Sequence, residues 1–126
     1  MIVLTRMQIL VIEDDPVVGP LLVEAFTAEG QAVTLVPNGE EGLRHIEAHR
    51  PDAVFLDILL PKINGIEVLR RIRAIDADLP VIIITGHATD RQIDAARELG
   101  ALDVVLKPEI LNHVESALGR LRKRQK

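Results

Sequence analysis

The sequence predicts a doubly wound α/β domain, with five strands in one parallel sheet and helices on both of its faces. Two observations lead there. Five short apolar runs alternate strictly with longer segments of helical period. Most of the runs are also apolar throughout rather than at every second residue, as strands covered on both faces are. At 126 residues the chain suits a single core and is short for two.

Each element can be justified in order. Residues 8–12 (QILVI) form the first strand. Residues 16–30 form a helix with Val17, Val18, Leu21, Leu22, Ala25 and Phe26 on one face, closed by Gly30. Gly19 and Pro20 fall near its start, where proline costs least. Residues 32–36 are the second strand, and 38–50 a helix with Leu43 and Ile46 inward and Asn38 as its N-cap. The third strand and its exit span 52–60. A helix over 65–75 places Ile66, Val68, Leu69, Ile72 and Ile75 on its apolar side. Residues 80–85 are the fourth strand, and 90–100 a helix with Ile93, Ala96 and Leu99 inward and Gly100 as its cap. The fifth strand spans 103–107. One continuous helix over 109–124 closes the chain, with Ile110, Leu111, Val114, Leu118 and Leu121 on its stripe.

Composition narrows the function. Only Phe26 and Phe55 are aromatic among Phe, Tyr and Trp, so the core is aliphatic, and the low count argues against a base-stacking nucleic-acid surface. A net charge of −4 disfavours DNA binding by the domain as a whole. The absence of cysteine removes disulfides, thiolate metal sites and thiol nucleophiles. The apolar N-terminal run is interrupted by Arg6 and Gln8 and stopped by Glu13, too early for a transmembrane span. Met7 can serve as an alternative start. Residues 1–6 are accordingly read as a leader, 7–122 as the domain and 123–126 as a basic tail.

In an open parallel sheet, ligands bind beyond the carboxyl ends of the strands. The residues there are Glu13, Asp14 and Asp15; Pro37 and Asn38; Asp57; Thr85, Gly86 and His87; and Lys107 and Pro108. Several carboxylates cannot all stay ionised together without a cation. Oxygen ligands with no thiolate among them suit Mg²⁺ or Mn²⁺. Asp15-Pro16 has the form of an N-cap followed by a first-turn proline, leaving Glu13 and Asp14 to face the metal. Asp57 is either a third ligand or a nucleophile toward a phosphoryl group. Lys107 can pair with Asp57 or with that group, and Thr85 can donate its hydroxyl to it.

With these residues in view, the chain resembles the receiver domain of bacterial two-component response regulators, over about residues 7 to 122. The matching pieces are ILVIEDDP, DAVFLDILLPKINGIEVLRRIR, LPVIIITGHA and LGALDVVLKP. Asp14, Asp57, Thr85 and Lys107 follow one another at spacings of 43, 28 and 22 residues, which agree with the family. The resemblance implies a flavodoxin-like strand order 2-1-3-4-5 with five helices. It implies that Asp57 accepts a phosphoryl group from a histidine kinase or a histidine phosphotransfer protein. Glu13, Asp14, Asp57 and the Leu59 backbone carbonyl would hold Mg²⁺. Thr85 and Lys107 would bind the phosphoryl oxygens, while Leu59 and His87 would set the lifetime of the acyl phosphate. Asn64-Gly65 resembles the family's turn into the third helix, with Asn for the commoner Asp, and Lys107-Pro108 matches a bond the family often holds cis.

Two positions depart from the pattern: Val104 and Glu109 stand where the family usually has aromatic residues. They put in question the route of the signal, not the phosphoryl chemistry. The expectation is a single-domain, cytoplasmic signalling switch or phosphorelay intermediate that catalyses only its own phosphorylation and dephosphorylation. It would work by contact with a downstream protein, with a phosphorylation-dependent homodimer allowed and with no nucleic acid or membrane as partner. The alternatives are a degenerate receiver working without phosphorylation and a Mg-dependent aspartyl phosphatase. The second is disfavoured because Leu59 stands where such enzymes place a second Asp as general acid. A nucleotide binder is disfavoured because Glu13-Asp14-Asp15 would repel phosphate.

Overall fold

A computed structural model describes residues 6–124, the side chain of Pro108 excepted. All of the expected leader but Arg6, the last two residues of the tail and the conformation of the Lys107–Pro108 bond therefore lie outside the described residues. The strands are β1 (Gln8–Ile12), β2 (Ala32–Val36), β3 (Ala53–Asp57), β4 (Val81–Thr85) and β5 (Asp103–Leu106). They form one sheet in the order β2-β1-β3-β4-β5, with every pair parallel. Ile12 lies beside both Val36 and Leu56, Asp57 beside Ile84, and Thr85 beside Leu106. This register brings Glu13, Asp57, Thr85 and Lys107 to one edge of the sheet.

The helices are α1 (Val18–Ala28), α2 (Gly39–Ala48), α3 (Gly65–Ile75), α4 (Asp90–Glu98), α5 (Lys107–Ile110) and α6 (Val114–Arg124). Alternate residues of each inner strand feed two cores, which is why those strands read as apolar throughout. Ile9, Val11, Phe55 and Ile84 meet α1 and α6 on one face, where the Phe26 and Phe55 rings are 4.7 Å apart. Leu10, Ile12, Leu56 and Ile83 meet α2, α3 and α4 on the other. Asn38 caps α2 by accepting from the Glu41 amide at 2.9 Å, and Asn64 caps α3 from the Glu67 amide at 3.1 Å. Thr89 and Gln92 form a reciprocal capping box at the start of α4. Gly30 follows α1 at φ +85° and Gly100 follows α4 at φ +78°, left-handed conformations that cost glycine least.

Three expectations change. The inward face of α1 is narrower than the periodicity predicts: Leu22 and Phe26 are fully buried, while Val17 and Leu21 are 63% and 39% exposed. Gly19 rather than a larger residue takes the buried position above them, against Leu35. The expected helix over 109–124 is divided. At residues 111–113 the Asn112 and His113 amides donate three residues back, to Glu109 and Ile110, each at 3.0 Å. That tighter turn buries both Ile110 and Val114 in one core and leaves Leu111 exposed. Finally, of the residues expected inward from the fourth helical segment, Ala96 is fully buried, while Ile93 and Leu99 are half-buried, Leu99 against the same core.

α4 is held at its end by Arg73. Its guanidinium donates to the carbonyls of Leu99 at 2.6 Å, Gly100 at 3.1 Å and Leu79 at 2.7 Å. Among the described residues no helix is long and apolar enough to cross a membrane.

A Cβ on Gly65 would collide with the backbone of Asp57 and lie 2.6 Å from Ile58 Cα, whereas a Cβ on Gly119 meets nothing within 4 Å. Gly65→Ala should therefore destabilise by at least the ~1–3 kcal/mol typical of overpacking. Gly119→Ala in α6 should stabilise by about 0.5–1 kcal/mol through helix propensity. Urea unfolding of the two variants checks the contrast.

Candidate functional site

Asp57 ends β3 and is fully buried, Glu13 follows β1 and is 3% exposed, and Asp14 beside it faces solvent. Each offers an oxygen within 4.8 Å of the others. The Lys107 ammonium lies 2.9 Å from Glu13 Oε1 and 2.9 Å from Asp57 Oδ2. These contacts are ion pairs without hydrogen-bond alignment, so both buried oxygens lack a directed donor. The remaining oxygens have one each. The Leu59 amide donates to Asp57 Oδ1 at 3.0 Å, and the Asp15 amide to Glu13 Oε2 at 3.2 Å.

The three consecutive acids have separate tasks. Asp15 Oδ1 accepts from the Val17 and Val18 amides at 2.8 and 3.1 Å, which hold its carboxyl below the usual range. It thereby closes the turn that leads into α1, but the helix begins at Val18 with Val17 in the cap position, two residues later than Asp15-Pro16 implies. Burial and the neighbouring Asp57 carboxylate push Glu13 from its ordinary 4.5 up to about 7, only partly opposed by Lys107. Burial alone would lower the Lys107 pKa, but the two carboxylates of Asp57 and Glu13 beside it outweigh that and raise it. Two buried carboxylates thus face one ammonium, with an exposed third nearby. The oxygen donors, their spacing and the two undirected buried oxygens fit a hard divalent cation.

The other predicted residues fall as follows. Thr85 is fully buried at the end of β4, but its hydroxyl donates to the His87 carbonyl at 2.7 Å and accepts from the His87 amide at 3.2 Å. Among the described residues the hydroxyl bonds to residue 87 and not to the carboxylates. His87 itself is exposed, and the Leu59 side chain is 56% exposed at the mouth of the site. Val104 is half-buried against the core shared with α4. Sequence reasoning paired Lys107 with Asp57 and missed its equal contact with Glu13. It also missed the role of Gly65, which lets α3 start against the Asp57 backbone and donates its amide to Ile58 O at 2.8 Å. The glycine directly after a capping Asn was the available signal.

The family described as the response regulator receiver domain matches residues 9–118. The chain belongs to that family. As a receiver it is similar to transcriptional regulatory protein AfsQ1 of Streptomyces coelicolor, 41% identical over 79% of this chain and 44% of that protein. It is also similar to response regulator MprA of Mycobacterium avium, 34% identical over 95% of this chain and 53% of that protein. The chain spans about half the length of the curated relatives it matches. Among solved structures, the Francisella response regulator 1452 receiver domain superposes with a TM-score of 0.87 at 25% identity, covering 96% of this chain and 100% of the other.

Because Glu13 takes up a proton on folding, its contribution to stability is greatest below its unfolded value and is lost as pH rises. With divalent cations removed, wild type should lose stability relative to Glu13→Gln between pH 4.5 and about 7, by on the order of 3 kcal/mol. Urea titrations across that range measure the difference. Above it, Lys107→Met should cost about 3–5 kcal/mol, because it strands buried carboxylates without a counter-charge. The same titrations read this loss.

Proposed function

We propose that this receiver accepts a phosphoryl group on Asp57 from a phosphohistidine of a histidine kinase or a histidine phosphotransfer protein, and that a downstream protein reads the modified form. The supporting observation is the Asp57 carboxylate itself. It is fully buried, oriented at one oxygen by the Leu59 amide, and flanked by Lys107, Glu13 and Asp14.

Glu13, Asp14, Asp57 and the Leu59 carbonyl are the ligands for Mg²⁺ or Mn²⁺ in this reading. When bound there, such an ion would offset carboxylate charge and supply Lewis-acid stabilisation to the phosphoryl oxygens. An Asp57 oxygen attacks phosphorus, the P–N bond of the donor breaks, and its electron pair leaves with the imidazole. Lys107 then pairs with phosphoryl oxygens. Thr85 can donate to one of them once its hydroxyl releases the His87 carbonyl. The added charge of about −1.5 to −2 is what biases the two states of the domain. Val104 offers no aromatic ring to relay the change. Leu59 and His87 border the site and set the lifetime of the mixed anhydride. The Leu59 side chain has no proton to give a leaving alkoxide, which argues against turnover of an external phosphoester and for a switch that catalyses only its own modification. The role belongs to the cytoplasm and runs through protein contact rather than nucleic acid.

Incubation with acetyl phosphate and Mg²⁺ tests the reading. Intact-mass analysis should show one phosphoryl adduct on wild type and none on Asp57→Ala, and beryllofluoride should shift NMR signals only in wild type. No change in wild type would overturn the proposal in favour of a degenerate receiver. Sustained phosphate release from a generic phosphoester would overturn it in favour of an enzyme.

A further inference from the structure

We propose a second metal site, formed by His45 and His49 at the amino-terminal edge of the sheet and suited to a borderline transition-metal cation such as Ni²⁺ or Zn²⁺. His45 lies in the last turn of α2 and His49 is its C-cap residue, four positions on. His49 has an extended backbone (φ −146°, ψ 101°), so the pair rests on where the two rings actually lie rather than on helical spacing. The ring centres are 6.1 Å apart at an interplanar angle of 54°. An ion about 2.1 Å from one nitrogen of each ring brings the ring centres to roughly 5–6 Å, so a small side-chain rotation closes the pair on a shared ion.

Three features favour a cation at this place. Both histidines line one cavity of about 280 Å³, together with Gln8 and Thr34, whose amide and hydroxyl oxygens can complete a coordination shell with water. Neither imidazole has a hydrogen-bond partner among the described residues, so their lone pairs are uncommitted. The cavity also adjoins the carboxyl end of α2, where the helix dipole is negative. The one positive side chain in its wall, Arg50, is already engaged. Its Nε pairs with Asp76 and its Nη1 donates to the Pro51 carbonyl at 3.4 Å.

Ligand chemistry separates this site from the carboxylate cluster. Imidazole suits Zn²⁺, Ni²⁺ and Cu²⁺, whereas an all-oxygen set suits Mg²⁺. The two sites lie at opposite ends of the parallel strands, so each can fill without the other. Bound metal would join the last turn of α2 to the residue that ends it, and would stabilise the folded chain by mass action.

Calorimetric titration of the full chain with Ni²⁺, in excess Mg²⁺, tests the site. Wild type should take up one equivalent and melt at a higher temperature. Loss of an outer partner of a metal ligand typically weakens binding about tenfold or more, so His45→Asn and His49→Asn should each weaken it at least that much. Both positions are at the surface or half-buried, and melting without metal verifies that the variants fold. Asp57→Asn and His87→Asn should leave Ni²⁺ uptake unchanged. Uptake that survives both substitutions, or no uptake by wild type below millimolar Ni²⁺, would overturn the assignment. Either result leaves the phosphoryl chemistry of Asp57 unaffected.

Discussion

One ammonium facing two buried carboxylates governs the architecture around it. Lys107 reaches Glu13 and Asp57 equally, and neither acid is accessible to water that could dilute its charge. The arrangement carries an excess of negative charge that a proton on Glu13 can cancel, and that a divalent cation can cancel better. The three partners come from residues at the ends of three different strands. Only a sheet that is parallel throughout, with β1 next to β3, delivers them together. The fold and the site are therefore one constraint seen at two scales.

Close packing serves that constraint. Glycine at 65 lets the first turn of α3 rest on the backbone of Asp57, and glycine at 42 lets α2 approach Ile12, the residue just before Glu13. Beneath the site the strands are aliphatic on both faces apart from Phe55, which packs against Phe26. A dry sheet of this kind holds Asp57 in a low-dielectric setting, where a neighbouring charge acts more strongly than it would in water.

Much of this was legible in the sequence because the signals were local. Non-alternating strands announced a covered sheet, Asn38 announced a helix start that its side chain does cap, and Asn64-Gly65 marked the turn into α3. The order of Asp14, Asp57, Thr85 and Lys107 along the chain marked the strand ends. The misreadings arose where tertiary packing decides. Periodicity alone cannot tell that Val17 and Leu21 stay outside while Gly19 goes in. Nor does it reveal the tightened turn at 111–113, because Ile110, Val114, Leu118 and Leu121 keep an apolar stripe on both sides of it. The double engagement of Lys107 and the bonds of Thr85 to residue 87 depend on side-chain direction, which spacing does not record.

The grip of Arg73 on the far end of α4 has a mechanical consequence. A nine-residue helix is roughly 13 Å long, and this one is clamped at its carboxyl end, with little of its surface sunk in the core. A rod fastened at one tip swings most at the other. Here the other tip adjoins the segment leading from Thr85, so the Arg73 contacts fix the end of α4 remote from the site and leave the near end to its own capping box and to Ala96.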